Sequence, residues 1–530
     1  MAVDSRILAL MIVIFVVASA VRLVDIDKPY ETWDEITSYT VGLQLWYNIA
    51  RMDFNSSHWT VSPHPPAARY IFGLANGAYL IQSSDSSIFH LSQNESVALL
   101  YSMKSMIPGR LVSVIFASLT VLLAFIGALL LYHDRRLAVL SGLILALTPA
   151  FMGFTKLETP DSILIFFFTL SMVSAIAFIK RGGDRFFILS AVSAGLAIST
   201  KLNAASLLFI IPLTYILFKG KQSLPASRAG WLKAVAFILI PAIIFIVVWP
   251  RLWSDPVSNT LEVLHEFSFV STTDEYFMGG LAHPAYYYPA YFLAATPVFI
   301  LLLALIGAIA RRGNETYALL IWILLVIMLM SSTAVKQTGI KNILVAYPAV
   351  SILAALGVKA ISDRLGGKSF LIISGLALAY LAASAMAVHP YYIDYYNELT
   401  GGPKNVYDNR MFAMGFWGEG TSEAAYWVSG NAANGSTVQF FVLPRHDVPP
   451  TNVTELDRYY LDYLVENGVV ASSGPWLMNE TAPSADYLVE NVMYRWYVDP
   501  GFHDEITDKY RLLHTVEVGG APLAWVYVKQ

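Results

Sequence analysis

Long apolar runs, unbroken by charge, constrain this chain more than any other feature. A helix needs ~20 apolar residues to cross the hydrocarbon of a bilayer. Residues 111–132, 162–179, 234–249, 291–310, 317–335 and 370–388 approach or reach that length without a single Asp, Glu, Lys or Arg. Further runs cover 7–24, 137–154 and 202–218, and shorter ones at 186–200 and 343–358 are bracketed by charges. A spanning segment must satisfy its own backbone, so runs this long are helices and not the short alternating strands of a barrel. Composition agrees: 14% of residues are charged, against ~25% in soluble domains. The reading is an α-helical polytopic membrane protein with about eleven spans.

Other classes drop out quickly. A net charge of -4 without a Lys/Arg cluster gives no footprint for nucleic acid. The absence of cysteine excludes disulfides, thiolate metal sites and a cysteine nucleophile. There is no P-loop, no glycine-rich dinucleotide fingerprint and no HExxH helix, so a nucleotide-driven or zinc-protease mechanism has no support. Run 7–24 lacks a basic stretch beyond Arg6 and a small-residue cleavage site, and is read as a first span or uncleaved anchor.

Basic residues set the expected orientation. Arg135/Arg136, Lys180/Arg181/Arg185, Lys219/Lys221/Arg228/Lys233, Arg311/Arg312 and Lys359/Arg364/Lys368 fall on alternate loops, which makes that side and the N-terminus cytoplasmic in a multi-pass cell-membrane protein. The opposite side then carries a large loop at 25–109, the 251–289 loop and everything after Val388. Asn-x-Ser/Thr sequons at Asn55, Asn94, Asn434, Asn452 and Asn479 lie on that outer side, and only the one at Asn314 does not. From His389 onward, β-rich stretches at 437–443 and 524–528 alternate with turns such as Gly519-Gly520. Two domains are expected: a transmembrane domain over 1–388 and an extracytoplasmic mixed α/β domain over 389–530.

The charged residues of the outer side are the candidates for chemistry. Asp34-Glu35 follows the first span among aromatic and apolar neighbours, where desolvation would suit a carboxylate for general-base work, although a solvated acid pair is the commoner fate. His64-Pro65-Pro66 leads through Arg69 into the apolar stretch 70–81, as a helix start would; Arg69 could meet a phosphate or snorkel into headgroups. Asp161 opens a span, where an N-cap would account for it. Lys201 lies between two apolar runs and needs water or an anion. Lys336 and Lys341 share another outer loop, and Tyr286-Tyr287-Tyr288 reads first as an interfacial aromatic belt. Together these put acids and cations on one face, a pattern suited to an anionic substrate reached from the lipid.

The order of these motifs resembles the GT-C superfamily, in particular protein O-mannosyltransferases and aminoarabinose transferases of archaeal or bacterial type. The resemblance is carried by Asp34-Glu35, His64-Pro65-Pro66 with Arg69, Asp161, Thr200-Lys201, the 286–297 stretch, His389-Pro390-Tyr391-Tyr392 with Asn397-Glu398, and Trp417-Gly418-Glu419-Gly420. It implies a sugar transferred with inversion from a polyprenyl-phosphate carrier, mannose or a related hexose or pentose, to a hydroxyl of a protein, lipid-linked glycan or lipid. In that scheme Asp34 is the base, Glu35 positions it and Asp161 completes the acidic site. Lys201, Arg69 and His64, with Lys336, Lys341 and Tyr286, would attend the lipid phosphate. The chain departs from the pattern where Lys341-Asn342 replaces an Arg-Tyr pair and where Arg69 stands for a frequent lysine. The Trp-Trp-Asp signature of oligosaccharyltransferases is absent. A lipid-linked-sugar transporter and a non-catalytic scaffold are the alternatives. A transporter would place its charges near the midplane and not at one face.

Overall fold

A computed structural model describes residues 5–29, 32–54, 59, 64–83, 106–220, 228–269, 276–333, 336, 339–433, 436–441, 485–497 and 500–530. Eight of its helices are long and apolar enough to cross a membrane, ten if each of two sharply bent pairs counts as one span. The sequence estimate of eleven is higher for identifiable reasons. The 186–200 run forms the helix Asp184–Ile198, only 15 residues long. Run 137–154 is split into Arg135–Leu147 and Pro149–Lys156, bent by 63°. Run 291–310 belongs to Tyr287–Ala295 and Val298–Ala310, which meet at 109°. Both breaks occur beside a proline, Pro149 and Pro297, which lacks the N–H a continuous helix would use and pushes the residue before it into extended backbone. Thr148 (ψ 120°) and Thr296 (ψ 128°) show that displacement.

The basic loops converge at one end of the bundle. Lys180 pairs with Glu315 at 2.9 Å, Lys359 with Asp134 at 3.2 Å and Lys233 with Asp184 at 2.6 Å. Of the sequons, only Asn314 is described, as the first residue of the helix Asn314–Ser332; the other five asparagines lie outside the described residues.

The opposite end is built by the helices Trp33–Ala50 and Ala67–Ser83. They touch backbone to backbone: a Cβ on Gly73 would lie 2.2 Å from the Gly42 carbonyl oxygen, so no larger residue fits. A small hairpin (β1 Tyr276–Phe277, β2 Gly280–Leu281) precedes the helix Tyr287–Ala295, and beyond the last span comes a four-stranded sheet of β3 Val438–Phe441, β4 Tyr487–Asn491, β5 Tyr510–Val518 and β6 Ala521–Lys529. Its order is β3-β4-β6-β5, with β3 and β4 parallel and the other pairs antiparallel. One contiguous apolar cluster runs from Ile14 in the first helix through the bundle to Tyr527 in β6, so the sheet is seated on the helices.

Candidate active site

The site is organised around one fully buried carboxylate. Glu35, in the first turn of Trp33–Ala50, takes a two-pronged ion pair from Arg110, with Nε and Nη2 each 2.7 Å from a carboxylate oxygen. It also accepts the Glu158 N–H at 2.9 Å and the Thr32 N–H at 3.1 Å, the latter closing a capping box at the helix start. With its lone pairs this fully used, Glu35 ties the helix Trp33–Ala50 to the Ile107–Tyr132 span and to the loop before Pro160–Arg181. It fixes where its neighbour Asp34 sits. Glu158, beside it, accepts from Asn76 at 2.7 Å. Burial, reinforced by the Glu35 charge, pushes the Glu158 carboxyl well above its ordinary range, so it stays neutral.

Asp34 reaches the surface: its side chain is 38% exposed and pairs with Lys341. Lys341 reaches on to Asp161 at 3.6 Å, and Asp161 in turn holds Lys201 at 3.2 Å. Acid and base therefore alternate along one line, Asp34, Lys341, Asp161, Lys201. The helix Pro160–Arg181 is capped by Thr159, so Asp161 is not its N-cap and its carboxylate is committed to the two lysines. Its Oδ2 has no hydrogen-bond partner among the described residues.

His64 and Arg69 border this line. The Ala67 N–H donates to the Ser199 carbonyl at 2.9 Å, which docks the start of Ala67–Ser83 on the loop carrying Lys201. Arg69 is 5% exposed and donates to the His64 carbonyl at 3.4 Å, while its Nε is buried with no partner among the described residues. Burial lowers the Arg69 guanidinium to about 10 against the pull of Asp34. Burial and then the Lys201, Arg69 and Lys341 charges hold His64 well below its usual value, so it is neutral. Desolvation alone would raise Asp34, but Lys341, helped by Lys201 and Arg69, keeps it below the ordinary carboxylate value. Burial likewise lowers Lys201, with Asp161 opposing. Three cations thus face two carboxylates, and the excess positive charge favours an added anion.

Two residues singled out in the sequence sit apart from this line. Lys336 donates to the Thr333 carbonyl at 2.9 Å, and Tyr286 is exposed, its ring 5.5 Å from that of Phe277. Their neighbours matter more. Tyr287 accepts the Gly339 N–H at 3.1 Å, Tyr288 accepts from Asn342 at 3.1 Å, and Asn203 donates to the Asn342 carbonyl at 3.0 Å. These bonds fasten the Lys341 loop to the Lys201 loop; Tyr287 and Tyr288 are fully buried and serve as structural reinforcement, not as the belt the sequence suggested. From the segment after the last span, Trp417 places its ring 4.1 Å from the Lys341 ammonium. Sequence reading passed over Arg110, which sits at the start of a span where a buried arginine is costly enough to be a signal.

A polytopic helical bundle that carries a small sheet at one end is a fold that known structures share. The chain is similar in fold to the aminoarabinose transferase ArnT from Cupriavidus metallidurans, both bound to undecaprenyl phosphate (13% identity, TM-score 0.51) and in the apo state (14%, TM-score 0.51); each match covers 99% of this chain and 98% of the other. A more distant likeness is to the archaeal oligosaccharyltransferase AglB from Archaeoglobus fulgidus (12% identity, TM-score 0.46), covering 91% of this chain and 69% of that one. Residues 95–249 match the family of dolichyl-phosphate-mannose-protein mannosyltransferases. No curated protein sequence matches the chain. Residues 95–249 are thus similar to that mannosyltransferase family, and the whole chain shares the fold of ArnT, the fold that the sequence resemblance implied.

Proposed function

We propose that this protein transfers a single sugar from a polyprenyl- or dolichyl-phosphate carrier to a hydroxyl acceptor at the outer membrane face, with inversion at the anomeric carbon. The observation that carries the reading is the alternating line of Asp34, Lys341, Asp161 and Lys201, with Arg69 beside it, at the end of the bundle opposite the basic loops. Asp34 is its most exposed acid, so an acceptor hydroxyl can reach it. The carboxylate takes the hydroxyl proton as the oxygen attacks the anomeric carbon, and the bond from that carbon to the phosphate oxygen breaks. Lys201 and Arg69 receive the charge that develops on the departing phosphate, which makes a separate general acid unnecessary. Lys341 keeps Asp34 ionised and oriented, and Asp161 keeps both lysines in register. The fold match to a protein bound to undecaprenyl phosphate supports a lipid-phosphate ligand of the same class here. The matched family favours mannose as the sugar and protein hydroxyls as acceptors.

The test incubates the reconstituted protein with mannosyl, glucosyl and arabinosyl polyprenyl phosphates together with hydroxyl-bearing peptides or glycolipids. Formation of a glycosylated acceptor with stoichiometric polyprenyl phosphate is the expected result. Movement of the intact lipid-linked sugar across the bilayer without bond cleavage would replace the reading with a transporter.

A further inference from the structure

Two buried acids outside the Asp34 line have no role in the chemistry above. Asp394 and Glu419 are each 2% exposed, and each has one carboxylate oxygen, Oδ2 and Oε1, without a hydrogen-bond partner among the described residues. Their other oxygens hold a single turn, 415–420: Asp394 Oδ1 accepts the Gly415 N–H at 2.9 Å and Glu419 Oε2 accepts the Trp417 N–H at 2.8 Å. The turn is tightly confined. Gly415 and Gly420 have φ of 59° and 84°, and a Cβ would lie 2.5 Å from Val492 and 2.8 Å from Leu523 respectively. At its tip Trp417 packs edge-on against Phe154, with ring centroids 5.3 Å apart, and covers Lys341. A cavity of about 30 Å³, lined by Asp394 and Trp417 with Tyr291 and Tyr396, lies beneath. That is roughly the share of one water molecule in the liquid.

We propose that Asp394 and Glu419 are positioning residues for the Asp34 site: they pin the 415–420 turn and so seat the Trp417 ring on Lys341, the partner of Asp34. The inference rests on the functional reading of Asp34, but the first part of its test does not. An ionised pair would be a costly arrangement here, because two buried carboxylates repel each other and each has one oxygen without a donor among the described residues. Burial pushes both carboxyls above their ordinary range, and the Asp394 charge pushes Glu419 further. Among the described residues, Tyr391, itself hydrogen-bonded to Glu423, and Asp34, Tyr291 and Tyr396 lie around them. With Asp394 pushed up to about 7 and Glu419 to about 8, the pair keeps a proton near neutral pH and loses it on the alkaline side. Once both are charged, their repulsion loosens the turn and the Trp417 ring loses its seat on Lys341.

The experiment compares the full-length protein with the double variant Asp394→Asn/Glu419→Gln, whose amides imitate neutral acids at every pH. Infrared difference spectra of wild type minus variant are expected to show a protonated-carboxyl band at about pH 7 that disappears by about pH 9.5. No such band at about pH 7 overturns the proposal, whatever the activity. With mannosyl polyprenyl phosphate as donor, the alkaline fall of the wild-type rate is expected to begin at lower pH than that of the variant, in which only the buried cations still titrate. A variant whose alkaline fall coincides with the wild type's also overturns the proposal. Loss of activity in Asp34→Asn is a separate question, because failure there removes the functional reading and leaves the infrared result standing.

Discussion

Replacing Arg110 by methionine tests the joint on which the site is hung. In the native protein both partners of the Glu35–Arg110 pair are 0% exposed, and the guanidinium contributes two 2.7 Å contacts to the carboxylate and a third to the Ile26 carbonyl. Arg110→Met leaves Glu35 buried with only the Thr32 and Glu158 donors. Removing one partner of a buried ion pair costs about 3–5 kcal/mol, because the remaining charge is uncompensated. At 1.4 kcal/mol per factor of ten, local opening of the helix Trp33–Ala50 should become roughly two to three and a half orders of magnitude more frequent. Hydrogen–deuterium exchange resolved on peptides from that helix measures this directly. The pair Glu35→Gln/Arg110→Met removes both charges and should recover most of the loss, since neutral replacements of a buried pair are often tolerated. Native-like exchange of the helix in Arg110→Met would refute the claim that this pair docks it.

Other outcomes follow from the same geometry. Lys341→Met frees Asp34 from the charge that lowers its pKa, so the acid limb of kcat/KM against pH should move upward; an unmoved limb would mean Lys341 does not set the ionisation of Asp34. Arg69→Met and Lys201→Met each remove a cation proposed to contact the lipid phosphate, and the apparent affinity for polyprenyl phosphate should fall roughly 10- to 150-fold, measured by binding to reconstituted protein. Gly73→Ala forces a Cβ to 2.2 Å from the Gly42 carbonyl oxygen and should destabilise the Trp33–Ala50 and Ala67–Ser83 helix pair by about 1–3 kcal/mol in thermal unfolding. Gly375→Ala, in a helix position with nothing within 4 Å, should be neutral or slightly stabilising in the same assay.

Hydropathy made the bundle readable in the sequence because a spanning helix announces itself in a continuous local run. The bends at Pro149 and Pro297 were marked by prolines, but their size depends on what each half packs against. The candidate site was readable where charges interrupt apolar sequence: Asp34, Arg69, Asp161, Lys201 and Lys341 all stand out that way. What the sequence did not show is pairing across distance. Nothing near Glu35 points to Arg110, and Lys341 looked like an equal of Lys336 until the loop geometry turned one toward Asp34 and the other toward the Thr333 carbonyl. Trp417 and Glu419 were visible as a motif, yet their contact with Lys341 and the turn exists only once the segment after the last span folds back on the bundle.

The most direct test of the central claim is the rate of polyprenyl phosphate release from mannosyl polyprenyl phosphate in the presence of acceptor, for wild type and Asp34→Asn at saturating donor. Loss of a general base should slow release by about 10²- to 10⁴-fold while donor binding persists. Equal rates in the two proteins would contradict the account.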